Sequence, residues 1–184
     1  MLRIQPYLDE RHRDNLRTTF KEVFGYEISN FAEFQRTNLS FVCTARTGVI
    51  QAFILVKETE QEIAPFEISF IGVVPRYRHQ GYAQRLIEMV IGRNLGIRTT
   101  VPNSNFAAVA LYEKLGFDLF YTNVTHMTLT WGIRYKCFHC KDVLKPMETI
   151  WDTIPIGLGF GTNGLEPRLS RESVCRSCRT RVES

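Results

Sequence analysis

A strand, a turn and a helix follow one another without interruption between residues 67 and 91. The apolar and β-branched run Ile68–Val74 predicts a buried strand, and the helical spacing of apolar residues over 86–91 predicts a helix. Gly81 and Ala83 stand where that helix begins. Small residues there let an anion approach the backbone N–H groups of the first helical turn, where the helix dipole favours negative charge. The segment therefore predicts a pyrophosphate-binding turn.

The turn has neither the spacing of a Walker loop nor that of a Rossmann G-x-G-x-x-G motif. From Arg78 to Ala83 it reads Arg/Gln-x-x-Gly-x-Gly/Ala. A second segment, from Asn105 to Phe117, reads N-x-x-A-x-x-L-Y-x-K-x-G-F and starts 22 residues after the first. Together the two segments resemble the GNAT acetyltransferase superfamily, whose acetyl-CoA loop has the first pattern. The alternative is an ordinary strand–helix unit with a glycine at the start of its helix.

Periodicity along the rest of the chain predicts further strands and helices. The expected strands cover residues 2–7, 40–46, 49–58, 66–74, 97–101, 117–121 and 124–131, and the expected helices cover 9–24, 31–34, 82–91 and 105–115. The GNAT resemblance implies an α/β fold in which a mixed, splayed central sheet is flanked by helices. It extends over residues 1–132, which we expect to form the acetyltransferase domain.

Length and charge restrict the class of protein further. A chain of 184 residues can form one ordinary domain with a small appendage, and its formal net charge of +4 is too small to indicate a nucleic-acid binder. Most of the excess lies in residues 133–184, with 9 Lys and Arg against 6 Asp and Glu. The sequence shows neither an apolar signal region nor a run long enough to span a membrane, so we expect an intracellular protein, cytoplasmic or nuclear and not secreted.

The resemblance implies a set of contacts to acetyl-CoA. The backbone of Ile71, Gly72 and Val73 is expected to pair with the pantetheine amides, because in the family the sheet splays open beside this strand. The loop and the first helical turn are expected to hold the pyrophosphate through Arg78, His79, Gln80, Gly81, Tyr82, Ala83 and Gln84. For His79 a solvated turn residue is the alternative. Asn105 is expected to cap the next helix and to contact the cofactor; a cap alone is its alternative.

Transfer of an acetyl group from a thioester to an amine calls for a base that takes a proton from the amine and an acid that protonates the departing thiolate. Glu67 lies fourteen residues before Gly81, where the histone lysine acetyltransferase branch of the superfamily has its general base. Tyr112 lies where many members place a tyrosine near the CoA sulfur, which makes it the expected acid. For Glu67 the alternative is a solvated carboxylate at a strand end, and for Tyr112 it is a tyrosine that only packs its helix.

Four of the five cysteines form two C-x-x-C pairs beyond residue 132. Each pair can bring two thiolates to one face of a tight turn, and four thiolates satisfy tetrahedral zinc in a closed structural site. We therefore expect residues 133–184 to form a zinc-ribbon-like module with a protruding glycine-rich loop at 157–164. The alternative is a redox dithiol or two disulfides. The expected zinc ligands are Cys137, Cys140, Cys175 and Cys178.

These observations predict an N-acetyltransferase that moves acetyl from acetyl-CoA to a primary amine. The context of Glu67 favours a protein lysine as acceptor, followed by a protein N-terminus or a small amine such as a polyamine. Two other classes stay open: a non-catalytic CoA-binding scaffold that recruits partners through the zinc module, and an acetyltransferase that acts on charged tRNA. We expect no membrane partner, and we interpret His12 and His126 as surface or edge-strand histidines.

Overall fold

The computed structural model describes side chains for residues 3–60, 64–93 and 96–133, and the backbone of residues 135–136, 143–144, 150–161 and 164–174. In the first part the strands are β1 (Arg3–Pro6), β2 (Phe41–Thr44), β3 (Ile50–Glu58), β4 (Phe66–Val73), β5 (Ile97–Pro102), β6 (Asp118–Thr122) and β7 (His126–Trp131). The α-helices are α1 (Asp9–Phe24), α2 (Tyr82–Ile91) and α3 (Phe106–Lys114), and short 3₁₀ turns cover Ala32–Gln35 and Pro75–Tyr77.

The strands of residues 3–131 form one mixed sheet in the order β1-β2-β3-β4-β5-β7-β6. The β4–β5 pair is parallel, and the other neighbouring pairs are antiparallel. A parallel pair needs a crossover connection, which here is the helix α2. The mixed sheet flanked by helices confirms the predicted α/β GNAT fold.

The sheet separates along the β4–β5 pair. Only Phe66–Ile68 of β4 pair with Ile97–Thr99 of β5, and no further pair joins these two strands in the described residues. β4 also carries a bulge at this point, because Phe70 is opposite Leu55 and Ile68 is opposite Val56, so that Ser69 is an extra residue. The splayed sheet implied by the family resemblance is therefore present, and it opens at the bulge.

Apolar cores lie on both faces of the sheet because successive side chains of a strand point in opposite directions. On β3, Ile54 and Val56 belong to the core that includes Leu86 of α2 and Tyr112 of α3. Phe53 and Leu55 belong to a second core that includes Leu16 and Phe20 of α1. The helices on both faces therefore hold the two sides of the β4–β5 opening in place.

His12 has a structural role that the sequence did not indicate. It is 4% exposed, and its Nδ1 accepts a hydrogen bond of 3.0 Å from the backbone N–H of Leu8, the residue that precedes α1. Burial, with the positive charge of Arg11 as a second cause, lowers the pKa of His12. The interpretation of His12 as a surface or edge-strand residue is wrong, because the imidazole is buried and accepts a hydrogen bond from the backbone at the N-terminus of α1.

The tail contains paired strands where the sequence predicted a loop. The strands β8 (Tyr135–Lys136) and β9 (Val143–Leu144) pair with each other, and β10 (Ile150–Gly161) pairs antiparallel with β11 (Gly164–Val174). The prediction of loop structure is therefore wrong for residues 157–161 and 164, since ladder pairing outweighs the weak strand preference of glycine. Among the described residues, no helix is both long and apolar enough to cross a membrane.

Candidate functional site

A groove of about 500 Å³ opens where β4 and β5 separate. It is bounded by the end of α1, the C-terminal half of β4, the turn before α2, the first turn of α2 and one side of α3. Most of the residues predicted to bind the cofactor line it: Ile71, Gly72, Val73, Arg78, His79, Gly81, Tyr82, Ala83, Gln84 and Asn105, together with Tyr112. Gln80 and Glu67 are not among the described residues that line it.

The first turn of α2 presents backbone donors that have no partner within the helix. The first hydrogen bond of α2 runs from the N–H of Arg85 to the carbonyl of Gly81, at 3.1 Å, so the amides of residues 82–84 have no partner within the helix. His79 and Gly81 both have left-handed backbone conformations, with φ of 61° and 76°. Alternating left-handed residues before a helix form a concave anion-binding nest. No atom lies within 4 Å of the position of a Cβ on Gly81, so this concavity is open.

The C-terminal half of β4 presents a free strand edge to the groove. Residues 71–73 pair with β3 on one side only, because the pairs with β5 stop at Ile68. A glycine is required at position 72 by packing, because a Cβ there would lie 2.6 Å from Cζ of Phe53. Nε of Arg78 donates a hydrogen bond of 3.3 Å to the carbonyl of Val73, so one acceptor of this edge is occupied. The other groups of the edge can hydrogen-bond an extended amide chain, while the glycine itself packs against Phe53 of β3.

Asn105 stands at the start of α3 and caps it. Its side-chain oxygen accepts a hydrogen bond of 3.2 Å from the backbone N–H of Ala108. This residue also lines the groove. The predicted cap is thus confirmed, and the same position leaves Asn105 beside any ligand in the groove.

Tyr112 closes the inner end of the groove. It is 2% exposed, and its ring packs edge-on against Phe117 with centroids 4.9 Å apart. Burial raises the pKa of the Tyr112 phenol to about 12, while a hydrogen bond with the side chain of Thr99 acts in the opposite direction. The phenol is therefore protonated over the whole physiological pH range, as an ordinary tyrosine is, and burial makes it a weaker acid than a phenol in water.

The family model described as the acetyltransferase (GNAT) family matches residues 5–117, which contain all the elements of this groove. The chain belongs to the acetyltransferase (GNAT) family. It is an acyl-CoA-dependent N-acetyltransferase, and acetyl-CoA is its cosubstrate. None of the curated protein sequences matches the chain.

Solved structures share the fold of this GNAT acetyltransferase. Naa50 from Arabidopsis thaliana, in complex with a bisubstrate analogue, has a TM-score of 0.61 and 17% identity, covering 71% of this chain and 97% of that chain. A ribosomal-protein alanine N-acetyltransferase from Escherichia coli has a TM-score of 0.55 and 22% identity, covering 72% of this chain and 94% of that chain. NAA60 from Arabidopsis thaliana, in complex with acetyl-CoA, has a TM-score of 0.57 and 18% identity, covering 71% of this chain and 99% of that chain.

Glu67 of this GNAT acetyltransferase lies in a row of charges across three strands. In the register of the sheet it is opposite Lys57 of β3 and Arg98 of β5. Its Oε2 accepts hydrogen bonds from Nε of Arg98, at 2.8 Å, and from Nη2 of the same guanidinium, while its Oε1 lies 3.5 Å from Nζ of Lys57. Both carboxylate oxygens are therefore already engaged, which the sequence did not indicate, since Arg98 follows 31 residues later.

Two kinds of residue near the opening escaped the sequence analysis. Val23 and Phe24 of α1 line the groove although they belong to the first helix, which the two motifs do not include. Ser69, the extra residue at the bulge, has a buried hydroxyl with no hydrogen-bond partner among the described residues. An unsatisfied hydroxyl is costly, so this position is suited to a polar ligand atom or a water. The bulge itself has no sequence signal apart from the interruption of strand alternation.

The four cysteines predicted to bind zinc, Cys137, Cys140, Cys175 and Cys178, lie outside the described residues. Within the described residues, no cluster of three or more His, Cys, Asp or Glu side chains is suited to a metal ion. The zinc module thus stays a prediction from the cysteine spacing.

Proposed function

We propose that this GNAT acetyltransferase transfers acetyl from acetyl-CoA to the α-amine of a protein or peptide. The observation that carries the choice of acceptor is the engagement of both oxygens of Glu67 by Arg98 and Lys57. A carboxylate whose oxygens are both held by cations accepts a proton less readily. The reaction therefore favours an acceptor amine that is already partly neutral in solution. At pH 7.5 about a third of an α-amine is neutral, against about 0.1% of a lysine side chain.

The similar proteins support an acceptor of this kind. The E. coli structure is a ribosomal-protein alanine N-acetyltransferase, and the Arabidopsis Naa50 complex contains a bisubstrate analogue of CoA joined to an acetylated peptide. A lysine acceptor is the alternative, because the position of Glu67 resembles that of the base in histone lysine acetyltransferases. In either case the acceptor is a peptide amine.

In the proposed mechanism, the residues of the groove bind the cosubstrate and handle one proton. The amides of residues 82–84 and the side chain of Arg78 hold the pyrophosphate, and the free edge of residues 71–73 holds the pantetheine amides. The neutral amine nitrogen forms a bond to the acetyl carbon, and the C–S bond breaks. Tyr112 donates its phenolic proton to the sulfur, while the proton lost by the amine goes to water or to Glu67.

Matched peptides test the choice of acceptor. One ten-residue peptide has a free N-terminus and no lysine, and a second has the same sequence with a blocked N-terminus and one internal lysine. With labelled acetyl-CoA at pH 7.5, we expect kcat/KM for the first to exceed that for the second by at least about tenfold, in line with the difference in neutral amine. A faster reaction with the blocked peptide would establish lysine as the acceptor. If acetyl-CoA binds but no peptide or polyamine is acetylated, the protein is a scaffold.

Replacing Tyr112 with phenylalanine should slow the chemical step. We expect kcat to fall about tenfold to a hundredfold, at or below the low end of the usual range for losing a general acid, since a thiolate leaves moderately well without one. In the wild type this phenol should cause no loss of rate up to about pH 10, because its pKa is about 12. Steady-state rates from pH 6 to pH 10 measure both effects. Tyr121→Phe, at a half-exposed position on β6, is the control; equal losses in the two variants would reject the proposed acid.

We also propose that the tail, residues 133–184, is a separate zinc-ribbon-like module with Cys137, Cys140, Cys175 and Cys178 as ligands. The proposal is supported by the two C-x-x-C pairs and by the match of the family model, which stops at residue 117. Four thiolates form a closed structural site with no open position for catalysis. A small module without a large apolar core needs such a metal for its stability.

Purified protein should therefore contain one zinc per chain, with Zn–S distances of about 2.3 Å by X-ray absorption. Cys175→Ser should release the zinc and leave acetyl-CoA affinity unchanged, because every residue that lines the groove precedes residue 113. Cys43→Ser, a cysteine buried in β2, is the control for cysteine loss alone and should retain the zinc. Loss of acetyl-CoA binding in Cys175→Ser would contradict the domain boundary, and disulfides without metal in anaerobically prepared protein would contradict the zinc site.

A further inference from the structure

A second cavity, of about 520 Å³, lies away from the acetyl-CoA groove. It is formed by β1, the first half of α1 and the turn between β2 and β3, and it shares no lining residue with the groove. Its floor is buried and polar, with His12 4% exposed and Thr44 3% exposed. Its rim carries Arg3, Arg11 and Arg46, one from each of the three elements. Neither the family motifs nor the proposed mechanism use this cavity.

The three arginines of the rim lack counter-ions. Among residues with described side chains, Arg3, Arg11 and Arg46 form no ion pair, whereas Arg13 on the same helix pairs with Asp9. None of the described residues that line the cavity is acidic. An anion in the cavity therefore meets three unpaired guanidinium groups and no competing carboxylate among the described lining residues.

The floor adds no negative charge of its own. Because Nδ1 of His12 accepts a hydrogen bond from Leu8, the proton of the neutral ring is on Nε2. Nε2 of Gln5 lies 3.2 Å from this Nε2 and 3.4 Å from Oγ1 of Thr44. Two N–H groups cannot bond each other, so the amide of Gln5 pairs with His12 when its oxygen is turned to the Nε2–H of the ring. The floor is therefore a fixed network of neutral polar groups beneath a positive rim.

We infer that this cavity binds a compact soluble ligand with two or more phosphate groups. The planar donor fork of arginine matches phosphate oxygens, and charge-assisted pairs of this kind are among the stronger hydrogen bonds in proteins. A cavity of this size falls within the range of small-ligand sites and is far larger than a single phosphate requires. A nucleic acid fits less well, because residues 1–132 carry 14 Lys and Arg against 13 Asp and Glu and so have almost no net positive charge.

Titration calorimetry with inorganic tripolyphosphate tests the inference on the full-length protein saturated with CoA, which blocks the pyrophosphate turn of the groove. We expect saturable binding with one site per chain. Arg11→Gln and Arg46→Gln should each weaken it about tenfold or more. Arg17→Gln removes the same charge from an exposed position on α1 that does not line the cavity, and it should change the affinity less than twofold. Acetyl-CoA affinity should be the same in all three variants.

Four results would overturn the inference. The first is absence of tripolyphosphate binding to the CoA-saturated wild type, and the second is equal weakening by Arg17→Gln and Arg11→Gln, which would indicate a general charge effect. The third is binding that CoA abolishes, which would assign the polyphosphate to the groove. The fourth is tighter binding of single-stranded RNA with affinity that rises with its length, which would indicate a nucleic-acid surface.

Discussion

Gly81→Glu is expected to abolish measurable acetyl-CoA binding while the protein stays folded. The new carboxylate enters the open concavity before α2, where no atom lies within 4 Å of the Cβ position. Two like charges about 4 Å apart at an effective dielectric constant of about 20 repel by about 4 kcal/mol, which corresponds to about a 10³-fold loss of affinity. Calorimetric titration with acetyl-CoA measures the loss, and circular dichroism checks the fold.

The control for this variant is Gly48→Glu. Gly48 also has a left-handed backbone, with φ of 83°, and also has open space around its Cβ position, but it lies in the turn between β2 and β3. Both variants therefore introduce the same charge and a similar backbone strain, about 1–2 kcal/mol for a side chain in this conformation. Acetyl-CoA affinity should change less than twofold in Gly48→Glu. Unchanged affinity in a folded Gly81→Glu variant would reject the assignment of the pyrophosphate turn.

Glu67→Gln separates a catalytic role of this carboxylate from a structural one. If Glu67 is the general base, turnover should fall about 10²–10⁴-fold with little change in acetyl-CoA affinity. The defect should shrink as the pH rises, because more of the acceptor amine is then neutral. The pH profile of kcat and a separate calorimetric titration with acetyl-CoA measure the two quantities.

Arg98→Gln is the matched variant, because it breaks the same ion pair and leaves the carboxylate in place. Both variants should lower the melting temperature, since Arg98 loses its partner in the first and Glu67 keeps only Lys57 in the second. Only Glu67→Gln should lose turnover by the full factor if Glu67 accepts the proton. Equal and small losses of turnover in the two variants, with a wild-type pH profile, would assign Glu67 to the stability of the β3–β4–β5 sheet.

The sequence predicts the helices of the fold well for a physical reason. The bounds of α1 and α2, Asp9–Phe24 and Tyr82–Ile91, agree with the predicted ones because apolar residues recur at helical spacing and a glycine lies next to one end of each helix. The left-handed Gly25 ends α1, and the left-handed Gly81 precedes α2. Local patterns of this kind need no knowledge of distant parts of the chain.

What the sequence did not predict depends on contacts between distant segments. The pairing of Glu67 with Arg98 follows from the parallel register of β4 and β5, which no local pattern specifies. His12 is buried where α1, β1 and the turn between β2 and β3 meet, and the arginine rim of the second cavity comes from the same three elements. In the tail, a glycine-rich composition suggested a loop where strand pairing decides the outcome.

The separation of β4 from β5 makes this sheet an incomplete structure. In the described residues, β4 and β5 are joined by only three residue pairs, Phe66–Ile68 with Ile97–Thr99. A cosubstrate that hydrogen-bonds the free edge of β4 then supplies part of a missing strand, so its binding energy adds to the free energy of unfolding. At a hundred times its Kd it should stabilise the protein by about 2.7 kcal/mol. The abundance of folded enzyme in a cell would then follow the local supply of acetyl-CoA, which makes the substrate a folding partner of the enzyme.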